Sequence, residues 1–253
     1  MLKVSIIQSN IVWEDIDQNL SIFSNKIRSI EESTDLIVLP EMFATGFSMK
    51  PEQFAGFELQ QIDFLKEHAE QSKAVITGSV ITEENGKFYN SLIWMKPDGN
   101  YEKYNKRHLF TFAGEDQHYT QGNIQITPKI NDWKIMPLIC YDLRFPVWSR
   151  NQMHYDVLLY VANWPHIRID AWKKLLFARA IENLSYVVAV NRVGEDGNGV
   201  AHSGASCIID PKGNILAEFE AFKEGILSYE LNLAELNAFR EKFPAANDAD
   251  KFK

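Results

Sequence analysis

Short apolar bursts alternate with stretches of helical periodicity along the first third of the chain. Val4, Ile6 and Ile7 read as a buried strand, and Ile16, Leu20, Phe23, Ile27 and Ile30 recur at the three- and four-residue spacing that predicts a helix over 16–30. A strand at 36–39, a helix over 57–69 with Leu59, Ile62, Leu65 and Ala69 on its apolar face, and a strand at 74–78 continue the alternation. The pattern then changes. Strands at 90–95 and 101–104 flank Pro97, Asp98, Gly99 and Asn100, whose turn chemistry predicts a β-hairpin. Strands follow at 134–139 and 157–161, then a helix over 171–183 burying Trp172, Leu175, Leu176, Ala180 and Ile181, and a strand at 186–190. A second hairpin joins 205–209 to 215–219 through Pro211, Lys212, Gly213 and Asn214, and the two similar turns are the one hint of an internal repeat. A short helix over 233–243 precedes residues 244–253, which read as a mobile or partner-docking tail.

Strands that are apolar on both faces need cover on both sides. Strand–helix–strand units mixed with hairpins therefore predict an α/β fold, with two mixed β-sheets packed face to face and helices on the outside. No low-complexity linker or change of composition divides the chain, so one domain over 1–253 is expected.

Composition narrows the function classes. With 253 residues, 45% hydrophobic and 24% charged, the chain has the profile of a soluble globular protein with a large core. A net charge of -8 works against nucleic acid or an anionic membrane as the main partner. No apolar run approaches the roughly 20 residues of a membrane span, and the N-terminal stretch MLKVSIIQSN has too short an apolar run for a secretory signal. Cys140 and Cys207 lie far apart and form no CxxC pair, so neither a disulfide framework nor a zinc site is expected, and a reducing cytoplasm fits. The absence of HExxH, GxxxxGK[ST] and GxGxxG patterns gives no support to a metal or a nucleotide cofactor.

Candidate chemistry begins at PLICYDLRFP, where Cys140 ends an apolar strand and Pro146 suits the first turn of a helix. A thiol facing a helix N-terminus has a lowered pKa and acts as a thiolate nucleophile. Taken alone, a cysteine at a strand end is more often an ordinary small core residue. Glu41, in LPEMF, stands at the C-terminal end of another strand, the edge where α/β sheets build sites. Lys106 follows the first hairpin within a basic triplet that otherwise reads as a solvated face. His108, His118, His154, His166 and His202 are scattered through expected loops, and none comes with a separate Cys–His signature.

LPEMF, YNKRHLF and PLICYDLRFP, in this order, resemble the three signature segments of the nitrilase superfamily of carbon-nitrogen hydrolases. The likeness extends to VSIIQSN, to Thr45-Gly46-Phe47, to ANWP at 162–165, to ARAIEN at 178–183 and to NRVG at 191–194. Within the superfamily, KRHLF, GEDQHY and ANWP are most similar to the ω-amidase branch, which hydrolyses the terminal amide of 2-oxo dicarboxylic acid monoamides. The resemblance implies an αββα sandwich that pairs into a homodimer and needs no cofactor. It implies Cys140 as nucleophile, Glu41 as general base, Lys106 and the Tyr141 backbone N–H as oxyanion stabilisers, and Glu115 as the glutamate that orients the lysine. Asp142 and Arg144 are expected to fix the elbow around the nucleophile by ion pairing and hydrogen bonds, and Glu182 to pair with Arg179 on its helix. An acidic substrate needs a carboxylate-binding arginine, for which Arg168 comes first and Arg192 second, while Phe43 and Trp164 are expected as apolar walls. A nitrile, an N-carbamoyl amine, another small amide, and a catalytically silent binding protein are the alternatives within the same resemblance.

Overall fold

In the computed structural model, which describes residues 1–250, the first half of the chain builds five strands of one six-stranded sheet. β1 (Leu2–Gln8), α1 (Ile16–Arg28), β2 (Leu36–Val38), α2 (Glu58–Ser72) and β3 (Val75–Glu84) form two crossover units, so β1, β2 and β3 run parallel. β4 (Lys87–Met95) and β5 (Tyr101–Asn105) return antiparallel. In the second half β6 (Lys129–Ile130), β7 (Trp133–Ile139), β8 (Val157–Ala162), α3 (Ile169–Asn183) and β9 (Tyr186–Asn191) begin a second sheet, with β7, β8 and β9 parallel. A two-stranded ribbon of β10 (Val193–Glu195) and β11 (Ala201–Ser203) leads into the hairpin β12 (Cys207–Ile209) and β13 (Ile215–Glu218) at the edge of the second sheet. β14 (Gly225–Leu231) then crosses to the first sheet and pairs antiparallel with β1, from Leu2 opposite Leu231 to Gln8 opposite Gly225, before α4 (Leu233–Lys242).

Side-chain alternation sorts the core into layers. Leu2, Val4 and Ile6 of β1, Leu36 and Val38 of β2, and Leu92 and Trp94 of β4 share one cluster with the second sheet, which carries Trp172, Leu176 and Ala180 of α3 on its outer side. Ile7, Ile37, Ile76 and Ile93 face the other way, onto Phe23 and Ile27 of α1 and Ile62, Leu65 and Ala69 of α2. The result is the helix–sheet–sheet–helix order expected from the sequence.

Three departures have local causes. β3 runs on to Glu84 and turns into β4 through Asn85 (φ 52°) and Gly86 (φ 74°), a two-residue hairpin that the sequence reading did not include. β14 and the β10–β11 ribbon were also not expected; β14 draws its conformation from the long partner β1. On the helices, Leu59 is 73% and Ile181 50% exposed, whereas Gln61, Arg179 and Asn183 are buried. Those polar side chains are inside because they satisfy backbone groups: Gln61 donates to the Phe57 carbonyl, Arg179 to that of Leu143, and Asn183 accepts from the Asn151 N–H. In the tail, Ala245–Asp248 form one 3₁₀ turn, and the rest of that expectation from 251 onward lies outside the described residues.

Gly78 of β3 sets the distance to the turn that follows β2. A Cβ there would stand 2.9 Å from Cβ of Leu39 and 3.0 Å from Cδ1 of Phe43. Gly78→Ala is expected to destabilise the protein by about 1–3 kcal/mol, as overpacking does. The urea midpoint reads this directly, and an unchanged midpoint would refute it.

Candidate active site

Three chain turns converge at the ends of β2, β5 and β7. β2 ends at Val38, and Glu41 follows in a tight turn whose next residue, Met42, has φ 44°. β7 ends at Ile139, and Cys140 itself has φ 43° as it opens a 3₁₀ helix over Cys140–Arg144. Left-handed backbone at a non-glycine residue costs about 1–2 kcal/mol, so each turn is held by its surroundings. The Met42 N–H donates to the Ser79 hydroxyl (2.8 Å), and the Ile139 N–H donates to Oδ2 of Asp142 (3.0 Å). Lys106 comes directly after β5; its N–H donates to the Asn90 carbonyl and its carbonyl accepts from the Gly122 N–H. Only glycine fits at 122, because a Cβ there would lie 2.2 Å from the Asn105 carbonyl oxygen.

Glu41, Lys106 and Glu115 are all fully buried. Nζ of Lys106 lies 3.0 Å from Oε1 of Glu41 and 3.0 Å from both carboxylate oxygens of Glu115. Glu115 opens a short helical turn after Gly114 (φ 76°) and also accepts the Phe110 N–H. Glu41 is held from two more sides: Oε1 accepts from the Asn90 side-chain amide (2.8 Å) and Oε2 from the Asn163 N–H (2.7 Å).

Electrostatics assigns the protons. Burial alone would lower the pKa of Lys106, but the Glu115 and Glu41 carboxylates outweigh it and raise it, so the side chain is an ammonium. Burial pushes the Glu115 carboxyl above its ordinary range. Burial also pushes the Cys140 thiol well up, Glu41 adds to this, and Lys106 only partly opposes it. The lowered thiol pKa expected from sequence is therefore corrected: burial first, and then the Glu41 carboxylate, disfavour the thiolate. A thiolate at Cys140 therefore forms only if a base takes its proton, and Glu41 is the carboxylate that acts most strongly on the thiol.

Cys140 and Tyr141 open onto a cavity of about 480 Å³ that is also lined by Phe47, Phe110, Trp164, Arg144 and Arg168. The Tyr141 N–H belongs to the first turn of the 3₁₀ helix, where N–H groups have no intrahelical acceptor. Arg168 lies over Phe110, 5.1 Å from the ring centroid, and Trp164 anchors its loop by donating from the indole to the Arg168 carbonyl. Phe43 and Arg192 are elsewhere. Phe43 is a core residue packed edge-on to Phe23, and the buried Arg192 donates to the backbone carbonyls of Ile11, Val193 and Glu195. Of the two residues expected to fix the elbow, Asp142 does so by accepting from Ile139, Tyr104 and His108, whereas Arg144 lies over the Trp164 ring at the cavity. Glu182 accepts from Arg179 at 2.8 Å, as expected. Sequence reasoning gave no role to Phe47 and Phe110, although both stand inside quoted motifs, Thr45-Gly46-Phe47 and YNKRHLF. It also missed Asn90, which no local signal marks, because only the β3–β4–β5 pairing carries it to Glu41.

Cys140 thus lines a cavity of an αββα sandwich, and Lys106 lies buried between the carboxylates of Glu41 and Glu115. The chain belongs to the carbon-nitrogen hydrolase family, whose pattern it matches over residues 3–241. It is 46% identical over 251 residues to Omega-amidase YafV of Yersinia enterocolitica, covering 99% of this chain and 98% of that protein. It is 33% identical to 2-oxoglutaramate amidase of Bacillus subtilis, covering 98% of this chain and 97% of the relative. The crystal structure of XC1258 from Xanthomonas campestris, a CN-hydrolase superfamily protein with an arsenic adduct in its active site, superposes with a TM-score of 0.97 at 37% identity, over 100% of this chain and 98% of that one.

His202 of β11 lines the same cavity, and burial together with the nearby Arg192 guanidinium pushes its pKa down to about 4. The folded state thus refuses a proton that the unfolded chain accepts near its ordinary value of 6.5. Stability is therefore lost as pH falls from about 6.5 to about 4. His202→Gln is expected to flatten this limb of the melting temperature against pH; superimposable curves for the two proteins would refute the assignment.

Proposed function

We propose that the protein hydrolyses the terminal amide of a 2-oxo dicarboxylic acid monoamide, such as 2-oxoglutaramate or 2-oxosuccinamate, to the acid and ammonia. The observation that carries the chemistry is the buried Lys106 ammonium, 3.0 Å from each of two carboxylates in the site of Cys140. Sγ of Cys140 attacks the amide carbonyl as Glu41 takes the thiol proton. The oxyanion of the tetrahedral intermediate is held by the Lys106 ammonium and the Tyr141 N–H. Glu41 returns the proton to nitrogen, the C–N bond breaks, and ammonia leaves a thioester. Glu41 then takes a proton from water, hydroxide adds to the thioester, and the C–S bond breaks to give the acid and the thiol. Glu115 holds Lys106 from the far side and keeps it charged.

The ω-amide substrate is supported by the activities named for the Yersinia and Bacillus relatives. Such a substrate carries a carboxylate at its other end. Arg168 and Arg144, lying on aromatic faces along the cavity wall, offer the planar fork that matches it. Pairing into a homodimer and a cytoplasmic location belong to the same proposal. Both cysteines are free thiols, as the chemistry at Cys140 requires, and exposed Val147 and Ile181 leave apolar surface for a partner.

Purified protein is expected to release ammonia from the two oxo-amides and not from glutamine, asparagine, a simple nitrile or an N-carbamoyl amine. Cys140→Ala should be folded and inactive, and persistent turnover in that variant would remove the thioester mechanism. Arg168→Ala should raise KM for 2-oxoglutaramate roughly tenfold to a hundredfold, the worth of hydrogen bonds to a charged group. Equal effects on an uncharged amide would show that Arg168 does not read the carboxylate.

A further inference from the structure

Asp142 is a buried carboxylate outside the reacting set, and its four acceptor positions are all filled. Oδ2 accepts from the Tyr104 hydroxyl at 2.6 Å and from the Ile139 N–H at 3.0 Å. Oδ1 accepts from the His108 N–H at 2.9 Å and from its ring Nδ1 at 2.8 Å. The sequence positions of these donors matter. Tyr104 and His108 bracket Lys106, while Ile139 and Asp142 bracket Cys140. One carboxylate therefore ties both flanks of the lysine to both flanks of the cysteine.

The remaining valences of this network are also used. The Tyr104 hydroxyl, donating to Asp142, accepts from Nε1 of Trp148 at 3.0 Å and from the Arg107 N–H at 3.2 Å. The His108 imidazole is stacked on Phe145, with centroids 3.8 Å apart and planes 7° from parallel, and its edge meets Trp148. Phe145 closes the 3₁₀ helix that Cys140 opens. The imidazole is thus fixed by a ring on the cysteine side while its own backbone belongs to the lysine side.

We infer that His108, acting through Asp142, is a positioning residue that sets the spacing between the Lys106 ammonium and the Cys140 sulfur. It touches neither the amide nor the sulfur in this role. It rests on the reading of Lys106 and Cys140 as oxyanion stabiliser and nucleophile. Because Lys106 also draws the thiol pKa down against burial and the carboxylates, a displaced lysine weakens both oxyanion binding and thiolate formation.

Two substitutions separate positioning from bulk stability. His108→Phe keeps the aromatic stack on Phe145 and removes the Nδ1 donor. His108→Asn loses the stack and places its amide nitrogen where Nδ1 stands. Each is measured for kcat and KM on 2-oxoglutaramate, for the rate of Cys140 alkylation by iodoacetamide without substrate, and for melting temperature. Cys207 is buried in the core, whereas Cys140 opens onto the cavity, so alkylation reports Cys140. His108→Phe is expected to lower kcat about tenfold to a hundredfold with KM within about twofold, and to slow alkylation, as displacement of a reacting group does. His108→Asn is expected to restore most of both. Native kcat and alkylation in His108→Phe would overturn the inference, as would a folded His108→Asn no faster than His108→Phe. Should His108→Phe fail to fold, Tyr104→Phe removes another donor to Asp142 and is judged by the same two rates. A native protein silent on every amide would overturn the functional reading alone, because the alkylation comparison needs no turnover.

Discussion

An ammonium sealed from solvent between two carboxylates is the constraint on which the rest of the site depends. Lys106, Glu41 and Glu115 are each fully buried, and each would be costly alone. Removing one partner from such a buried cluster leaves an uncompensated charge, which costs about 3–5 kcal/mol. The three are therefore a unit. It also bears on the thiol: burial and the Glu41 carboxylate push its pKa well up, so Cys140 rests protonated.

Holding that unit in place explains features of the fold that have no other use. The left-handed residues Met42 and Cys140 turn two strands sharply enough to aim Glu41 and the sulfur at one another. Gly78 leaves room for the turn after β2, and Gly122 for the Asn105 backbone just before Lys106. Asn90 and the Asn163 N–H hold Glu41 from two more sides and fix the orientation of its carboxylate, with one acceptor position on Oε2 left open. Around the reacting groups, Asp142 ties the Lys106 loop to the Cys140 elbow. The cavity outside is aromatic, with guanidinium groups lying on ring faces at its wall.

Much of this was legible in the residues themselves. Period-two and period-3.6 patterns located most of the strands and the long helices, because burial imposes those periods wherever one face meets a core. LPEMF, YNKRHLF and CYDLRFP marked Glu41, Lys106 and Cys140, whose side chains the structure brings into one site. The errors fell where local pattern and tertiary partner disagree. Leu59 and Ile181 satisfied the helical period yet face solvent, and the buried places went to polar side chains that complete the hydrogen bonds of neighbouring loops. Phe43, at a strand end beside Glu41, points into the helix layer. Arg192 supplies backbone hydrogen bonds rather than a ligand fork.

The sequence by itself determined the layer order, the strand ends that carry chemistry, and the residue types placed there, since hydrophobic period and turn chemistry are local properties of the chain. Only the tertiary structure decided which of those ends meet, which arginines face the cavity, and whether the thiol rests protonated. Sheet register and the packing of one sheet on the other set these, by bringing together residues as distant as Glu41 and Asn163. A pKa or a hydrogen bond depends on whatever arrives within a few ångströms, and no local spacing encodes that arrival.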